Sequence, residues 1–147
     1  MGLSEHEKRV VLAIGQAMFP RDATLPYDAD DVDVVAWCDD YAARMPPFSR
    51  AQIRALINAF EYGYAAWAGR PRDTFSSARP ADRVAYLESW ERSSTYAQRM
   101  LYEALRAMLT FAYVGSDEVE AAIRPADSRS DDYAPRVARG RAVEEPR

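Results

Sequence analysis

The sequence predicts an all-α fold, a compact bundle of about five helices around a central apolar fifth helix, with an irregular C-terminal tail. Three observations support this prediction. Apolar residues recur at helical spacing in five successive segments. Ser or Pro residues that are typical of helix starts precede most of these segments. No segment shows the alternation of apolar and polar residues that predicts a strand.

The first helix is predicted to begin after Ser4, because Ser4 and Glu7 have the spacing of a capping box. In such a box the serine hydroxyl accepts a hydrogen bond from the glutamate amide, and the glutamate carboxylate accepts one from the serine amide. The helix is predicted to end before Pro20, which cannot continue it.

A loop over residues 21–30 leads to the second helix, which is predicted over residues 32–45. Pro46 and Pro47 end it, because a residue before proline is biased away from helical geometry. Helical spacing assigns six residues to its apolar side: Val34, Val35, Trp37, Cys38, Tyr41 and Met45.

The third helix is predicted to open with a second capping box, Ser49 with Gln52, and to run to about Ala68. Its apolar stripe consists of Ile53, Leu56, Ile57, Phe60, Tyr64 and Trp67. Phe75 is predicted to anchor the polar loop that follows. The fourth helix is predicted to start at Pro80, since proline is favoured at the first helical position.

The fifth helix is predicted to be capped by Ser93 and Ser94 and to end near Val114. It is apolar over most of its circumference, which is typical of a helix at the centre of a bundle. Ser116 is predicted to cap a last short turn. Residues 1–123 therefore form the predicted helical domain. Residues 124–147 lack Leu, Ile, Met, Phe and Trp, and are predicted to be a flexible or partner-ordered tail.

Composition argues against several classes of function. The net charge of -4 disfavours nucleic acid as a partner, because proteins that bind a phosphate backbone usually present a basic face. No apolar run reaches the length that a membrane span needs. The single cysteine excludes an internal disulfide. The chain is therefore expected to be cytoplasmic, with neither nucleic acid nor membrane as a partner.

The sequence also gives little support for catalysis. The one histidine, His6, lies in the first turn of a helix, and the one cysteine, Cys38, is expected to be buried and inert. One His and one Cys cannot supply the usual zinc ligand sets. The acidic residues 28–33 lack the glycine and the twelfth-position acid of a calcium loop. The six glycines form no phosphate-binding turn. No catalytic, cofactor-binding or metal-binding residue is predicted.

Surplus aromatic and small apolar surface instead predicts contact with another protein. The third helix carries a small, flat face opposite its main stripe, and the fourth helix carries aromatic residues on one side. The tail carries several arginines that can form charge-assisted hydrogen bonds. The candidate interface residues are Ala55, Ala59, Tyr62, Ala66, Tyr86, Trp90, Tyr133, Arg136, Arg139 and Arg141.

Three segments together resemble a known family. They are the opening LSEHEKRVVLAIGQAMFPRD, the residues Val84-Ala85-Tyr86-Leu87 and Trp90 that follow Phe75, and the long apolar helix after them. They are similar to the gluconate 2-dehydrogenase subunit 3 family over about residues 3–123. The resemblance implies a non-catalytic helical subunit that stabilises or matures a large flavoprotein of the glucose-methanol-choline class. It also implies a hetero-oligomer in which the partner, and not this chain, holds FAD.

Two other functions are compatible with the residues alone. A free-standing helical interaction or scaffold protein would show the same helices and the same surplus apolar surface. A cofactor-free enzyme would need two carboxylates that face one cavity.

Overall fold

The structure is a computed structural model that describes residues 2–124, and all of its regular elements are helical. The tail prediction for residues 124–147 therefore lies outside the described residues, apart from Arg124. The elements are α1 Glu5–Met18, α2 Val34–Arg44, α3 Pro47–Ala68, a 3₁₀ turn Phe75–Ser77, α4 Pro80–Glu91, α5 Tyr96–Val114 and α6 Asp117–Ile123. The predicted all-α bundle is confirmed for this part of the chain.

Three predicted helix starts are confirmed. The Ser4 hydroxyl accepts from the Glu7 amide at 3.3 Å, and the Glu7 carboxylate accepts from the Ser4 amide at 2.7 Å, so the capping box is complete. Pro80 is the first residue of α4. Ser116 accepts from the Val119 amide and caps α6. These side chains satisfy helix amides that have no partner within the helix.

Two predicted helix starts are wrong. Helix α3 begins at Pro47, so Ser49 and Gln52 lie inside the helix and form no cap. Proline at this position has a preset φ and lacks the amide that a cap would satisfy, which lets the helix begin before the serine. Helix α5 begins at Tyr96, and the Ser93 hydroxyl accepts from the Thr95 amide in the turn before it.

Helix α1, rather than α5, lies at the centre of the bundle. Val10, Val11 and Ile14 are fully buried, and α1 packs against α2, α3, α4 and the 3₁₀ turn. Helix α5 packs chiefly against α2, α4 and α6, and its side with Met100 and Phe111 is exposed. The predicted central position of the fifth helix is therefore not observed, because within residues 2–124 no helix covers its side with Met100 and Phe111.

An aromatic core cluster joins α3, the 3₁₀ turn and α4. Its members are Phe60, Phe75, Tyr86 and Trp90, and the ring centroid of Phe60 lies 4.8–4.9 Å from the other three. The predicted anchor role of Phe75 is confirmed, since its side chain is fully buried. Gly63 makes this packing possible, because a Cβ at that position would lie 2.7 Å from the Tyr86 hydroxyl.

Helix α2 turns only part of its predicted apolar side to the core, because Val34 and Cys38 of the predicted residues are buried. Val34, Cys38 and Ala42 are buried, as three residues on one helix face. Trp37 and Tyr41, which the pattern places on the apolar side, are exposed instead. The Arg50 guanidinium donates to the carbonyls of Ala42, Ala43 and Met45 and so holds the end of α2 against the start of α3.

No helix within residues 2–124 combines the length and the apolar character that a membrane crossing requires.

Candidate interaction surface

The structure brings together the four interface residues that the sequence predicts on α3. Ala55, Ala59, Tyr62 and Ala66 are all exposed and share the outer face of the helix. The Tyr62 hydroxyl lies 3.4 Å from His6 Nε2, and the two rings stack with centroids 5.9 Å apart. We call these four residues the α3 face.

The two predicted interface residues on α4 lie elsewhere. Tyr86 and Trp90 are only 2% and 8% exposed and belong to the core cluster. The Tyr86 hydroxyl donates to the Phe60 carbonyl at 3.2 Å. Their side chains therefore hold α3 and α4 together and are not presented to a partner by the folded domain.

The tail residues that the sequence predicts as interface lie outside the described residues. They are Tyr133, Arg136, Arg139 and Arg141. Their role in partner contact stays a prediction.

A groove between α2 and α5 is a further apolar feature of the surface, and sequence reasoning missed it as a site. Its volume is about 600 Å³. Helices α2, α3 and α5 and the residue after α2 line it, with side chains of Trp37, Tyr41, Met45, Ile53, Ala104, Ala107, Met108 and Phe111. We call this feature the α2–α5 groove. The small side chains of Ala104 and Ala107 leave the space between the larger ones.

Three aromatic side chains dominate the groove. Trp37 and Tyr41 stack with ring centroids 5.0 Å apart and an interplanar angle of 18°. They are 38% and 42% exposed, and Phe111 is 70% exposed. Each of the three rings therefore keeps part of its surface open to solvent. Exposed aromatic side chains that line one groove are typical of an interaction site.

Two of the arginines on the same two helices have ion-pair partners. Arg44 forms an ion pair with Asp40 on α2. Arg106 on α5 forms ion pairs with Glu103, at 3.5 Å, and with Glu91 of α4, at 3.3 Å. Among the described residues, none of those that line the groove is charged. The groove is therefore suited to an uncharged, apolar occupant.

The sequence does contain a signal for this groove. Trp37, Tyr41 and Met45 are spaced four residues apart, and Met100, Ala104, Ala107 and Phe111 follow helical spacing on α5. Each series forms a second apolar stripe beside the one that faces the core. Two apolar stripes on one helix indicate two neighbours, but they do not show which stripe is left uncovered within residues 2–124.

The sequence also did not predict that the carboxylates of Glu7 and Glu61 are buried. The Glu7 carboxylate accepts from Arg54 Nε and Asn58 Nδ2, both at 2.9 Å, and links α1 to α3. Glu61 accepts from the Ser76 amide at 2.8 Å and from the Ser76 hydroxyl at 2.5 Å. Both oxygens of each carboxylate accept hydrogen bonds. This geometry supports a structural role for Glu7 and for Glu61 rather than acid–base chemistry.

The pKa values of two buried groups agree with structural roles. Burial alone would raise the pKa of Glu7, but hydrogen bonds from the Ser4 amide, Arg54 and Asn58 together lower it. The carboxylate is therefore charged at neutral pH. Burial raises the pKa of the Cys38 thiol to about 12, so this thiol is protonated and unreactive in the folded protein.

The acidic residues 28–33 organise the loop before α2. The Asp28 carboxylate accepts from the amides of Asp30 and Asp31, and the guanidinium of Arg21 forms ion pairs with Asp28 and Asp31. Within residues 2–124, no group of three or more His, Cys, Asp or Glu residues has a geometry that could hold a metal ion.

Fold and surface together define a class of protein: over residues 2–124 it is an all-helical bundle with two buried carboxylates held by hydrogen bonds and an apolar groove at its surface. The chain belongs to the gluconate 2-dehydrogenase subunit 3 family, whose model matches residues 5–123. The family is named for subunit 3 of gluconate 2-dehydrogenase.

A second comparison finds similarity to a longer dehydrogenase. N-succinylglutamate 5-semialdehyde dehydrogenase of Caulobacter sp. (strain K31) is 32% identical over 108 residues, which are 68% of this chain and 21% of that protein. The chain thus spans about a fifth of the length of this relative. No solved structure matches the chain at a significant level.

Proposed function

We propose that this chain is the non-catalytic small subunit of a large FAD-dependent oxidoreductase of the glucose-methanol-choline class, which it stabilises or matures. The observation that carries the proposal is the family match over residues 5–123. The partner acts on an alcohol or sugar hydroxyl group, and the two chains form a hetero-oligomer in the cytoplasm.

In this proposal the partner, and not this chain, binds FAD. A dinucleotide site needs a glycine-rich turn that lets the backbone approach the pyrophosphate. The six glycines of this chain stand at separate places in the sequence and form no such turn. The helical subunit contributes binding surface, and the redox chemistry belongs to the flavin of the large chain.

Stabilisation of the partner follows from linkage. A subunit that binds only the folded form of the large chain raises its free energy of unfolding by RT ln(1 + [L]/Kd), where [L] is the free concentration of the small subunit. At a hundredfold excess of [L] over Kd this amounts to about 2.7 kcal/mol. Such a gain is enough to raise the soluble yield of a marginally stable flavoprotein.

Co-expression tests the proposal. The large dehydrogenase subunit encoded nearest to this chain's gene is produced with and without it, and soluble yield, bound flavin and co-purification are measured. We expect a flavin-containing complex and a higher yield of the large chain when both are present. Equal yield, flavin content and activity without this chain would refute the stabilising role.

The same experiment separates a flavoprotein partner from other dehydrogenases. Flavin released from the purified complex has a characteristic absorbance, so its presence or absence distinguishes a flavoprotein from a dehydrogenase that binds no flavin. A stoichiometric complex without flavin would keep the accessory role and replace the proposed class of partner.

A further inference from the structure

We propose that the α2–α5 groove is the surface that docks the large subunit, and that its occupant is an uncharged apolar segment of that subunit with large side chains. This inference rests on the proposed function, since it names the site at which the two subunits meet. The alternatives for the groove are a second copy of this chain and the chain's own residues 125–147.

The chemistry of the groove selects an uncharged occupant. The lining side chains are aromatic, aliphatic or alanine, and the nearby charges of Arg44 and Arg106 are already paired. A charged group placed here would lose its hydration without gaining an ion-pair partner. Aromatic and aliphatic side chains would gain from both the apolar lining and the stacked pair of Trp37 and Tyr41.

The size of the groove fits the apolar centre of a subunit interface. A standard interface buries about 800 Å² on each partner, with an apolar core inside a polar rim. The groove, with Trp37, Tyr41 and Phe111 partly exposed in it, would form part of that core. The remaining area has to come from a partner that reaches beyond the groove, as a large subunit does.

A second copy of the chain fits the groove less well. A two-fold dimer centred on the groove would place each groove against its own copy. Two concave surfaces that face each other leave their space unfilled, and an unfilled apolar space forfeits packing contacts. A convex segment of another protein fills the same space.

The α3 face lacks these properties. It consists of three alanines and Tyr62, whose ring stacks on His6 and whose hydroxyl lies within 3.4 Å of His6 Nε2. Ala59 on this face and Ala107 in the groove are both exposed alanines within long helices. They therefore provide a matched pair of positions for testing which surface docks the partner.

The first test fills the groove. Ala107→Trp places a large side chain where the occupant would sit, and Ala59→Trp makes the same change on the α3 face. Each variant is co-expressed with the large subunit, and the affinity of the purified chains is measured. We expect Ala107→Trp to weaken binding at least tenfold, whereas Ala59→Trp changes it by less than threefold.

The second test measures whether the large subunit covers the groove, without placing a large side chain in it. Ala107→Cys and Ala59→Cys each introduce a reactive thiol, and the buried thiol of Cys38 contributes no background labelling. We expect Ala107→Cys to label rapidly in the isolated chain and at least tenfold more slowly in the complex. Ala59→Cys should label at the same rate in both states. These two labelling results together would place the large subunit on the groove side of this chain.

Each contrary result has its own meaning. If wild-type chain forms no complex with the large subunit, the proposed function fails. If it forms one that Ala107→Trp leaves intact, the function stands and the groove assignment is wrong. Slow, concentration-dependent labelling of isolated Ala107→Cys would assign the groove to a second copy. Slow labelling that removal of residues 125–147 accelerates would assign it to the chain itself. Both results overturn the proposal.

Discussion

The molecule contains two groups of aromatic side chains that differ in how they are enclosed. The core cluster of Phe60, Phe75, Tyr86 and Trp90 is closed on all sides by α3, the 3₁₀ turn and α4. Trp37, Tyr41 and Phe111 in the α2–α5 groove pack between helices of the bundle on one side and face outward on the other.

The difference shows that aromatic content alone does not distinguish a core from a binding surface. The rings of the core cluster are buried between α3, the 3₁₀ turn and α4, and this burial stabilises the fold. Within residues 2–124 the groove aromatics are covered on one side only, so the exposed part of each ring is still available for association. Substitutions should therefore separate the two regions, with large effects on stability in the first and small effects in the second.

The largest effect is expected for Phe75→Ala. The substitution removes a fully buried ring that contacts both Phe60 and Tyr86 and leaves a cavity between α3 and α4. We expect the free energy of unfolding to fall by about 3–5 kcal/mol, measured by chemical denaturation. Faster labelling of the Cys38 thiol would provide an independent readout. A loss below about 1 kcal/mol would show that the core cluster is not where stability resides.

A smaller effect is expected for Glu7→Gln, which tests the ionic link between α1 and α3 apart from the aromatic packing. At neutral pH the variant loses the charge in its hydrogen bonds with Arg54 and Asn58, and Arg54 is about half exposed to screening solvent. We expect a loss of about 1–2 kcal/mol.

The pH dependence of the Glu7→Gln effect follows from the sign of the pKa shift. Because the folded pKa of Glu7 lies below its ordinary value, its contribution is complete above that value and is lost as the pH falls through the folded pKa. The unfolding free energies of wild type and variant should therefore converge in acid. A difference that stays constant from pH 7 to pH 3 would contradict the assignment.

Tyr86→Phe separates the contribution of the Tyr86 hydrogen bond from that of its ring in the core cluster. The change keeps the ring and removes the hydroxyl that donates to the Phe60 carbonyl. We expect a loss of about 1 kcal/mol in the free energy of unfolding, typical of one buried hydrogen bond. An unchanged stability would mean that packing of the ring accounts for the whole contribution of this residue.

The smallest effect on stability is expected for Phe111→Ser in the groove. Phe111 is 70% exposed, so the folded chain gains little from its burial. We expect the free energy of unfolding to change by less than about 0.5 kcal/mol, the usual range for a surface position. Phe48→Ser, at an exposed aromatic outside the groove, serves as the matched control. A cost for Phe111→Ser like that of Phe75→Ala would remove the distinction between the two regions.

Local signals predicted the helices well where a side chain or proline fixes the end of the helix. Ser4 with Glu7, Pro80 and Ser116 each satisfy or replace helix amides by contacts within four residues, so sequence spacing suffices. The same reasoning failed at Ser49, because Pro47 starts α3 earlier and leaves the serine within the helix. It failed at Ser93 and Ser94 because α5 begins after both residues, with Thr95 as its N-cap.

The candidate site was predictable only in part. Exposure of the α3 face follows from its position opposite the main apolar stripe of that helix, which helical periodicity specifies. Burial of Tyr86 and Trp90 depends on α4 packing against α3, and the opening of the groove depends on α2 and α5 lying side by side. Contacts of this kind join residues far apart in sequence, and spacing along one helix does not encode them.

The sequence by itself determined the class of fold, the capped helix starts, the anchor role of Phe75 and the kinship with a dehydrogenase subunit family. These features rest on local hydrogen bonds, on helical periodicity and on residue identity, all of which are properties of short segments. Tertiary structure alone decided that α1 is central and that Trp37, Tyr41 and Phe111 face outward. The residues of an apolar stripe determine how much free energy its burial would contribute. Which stripe is buried depends on the helices that pack against it. Within residues 2–124 no helix covers the outer stripe of α5.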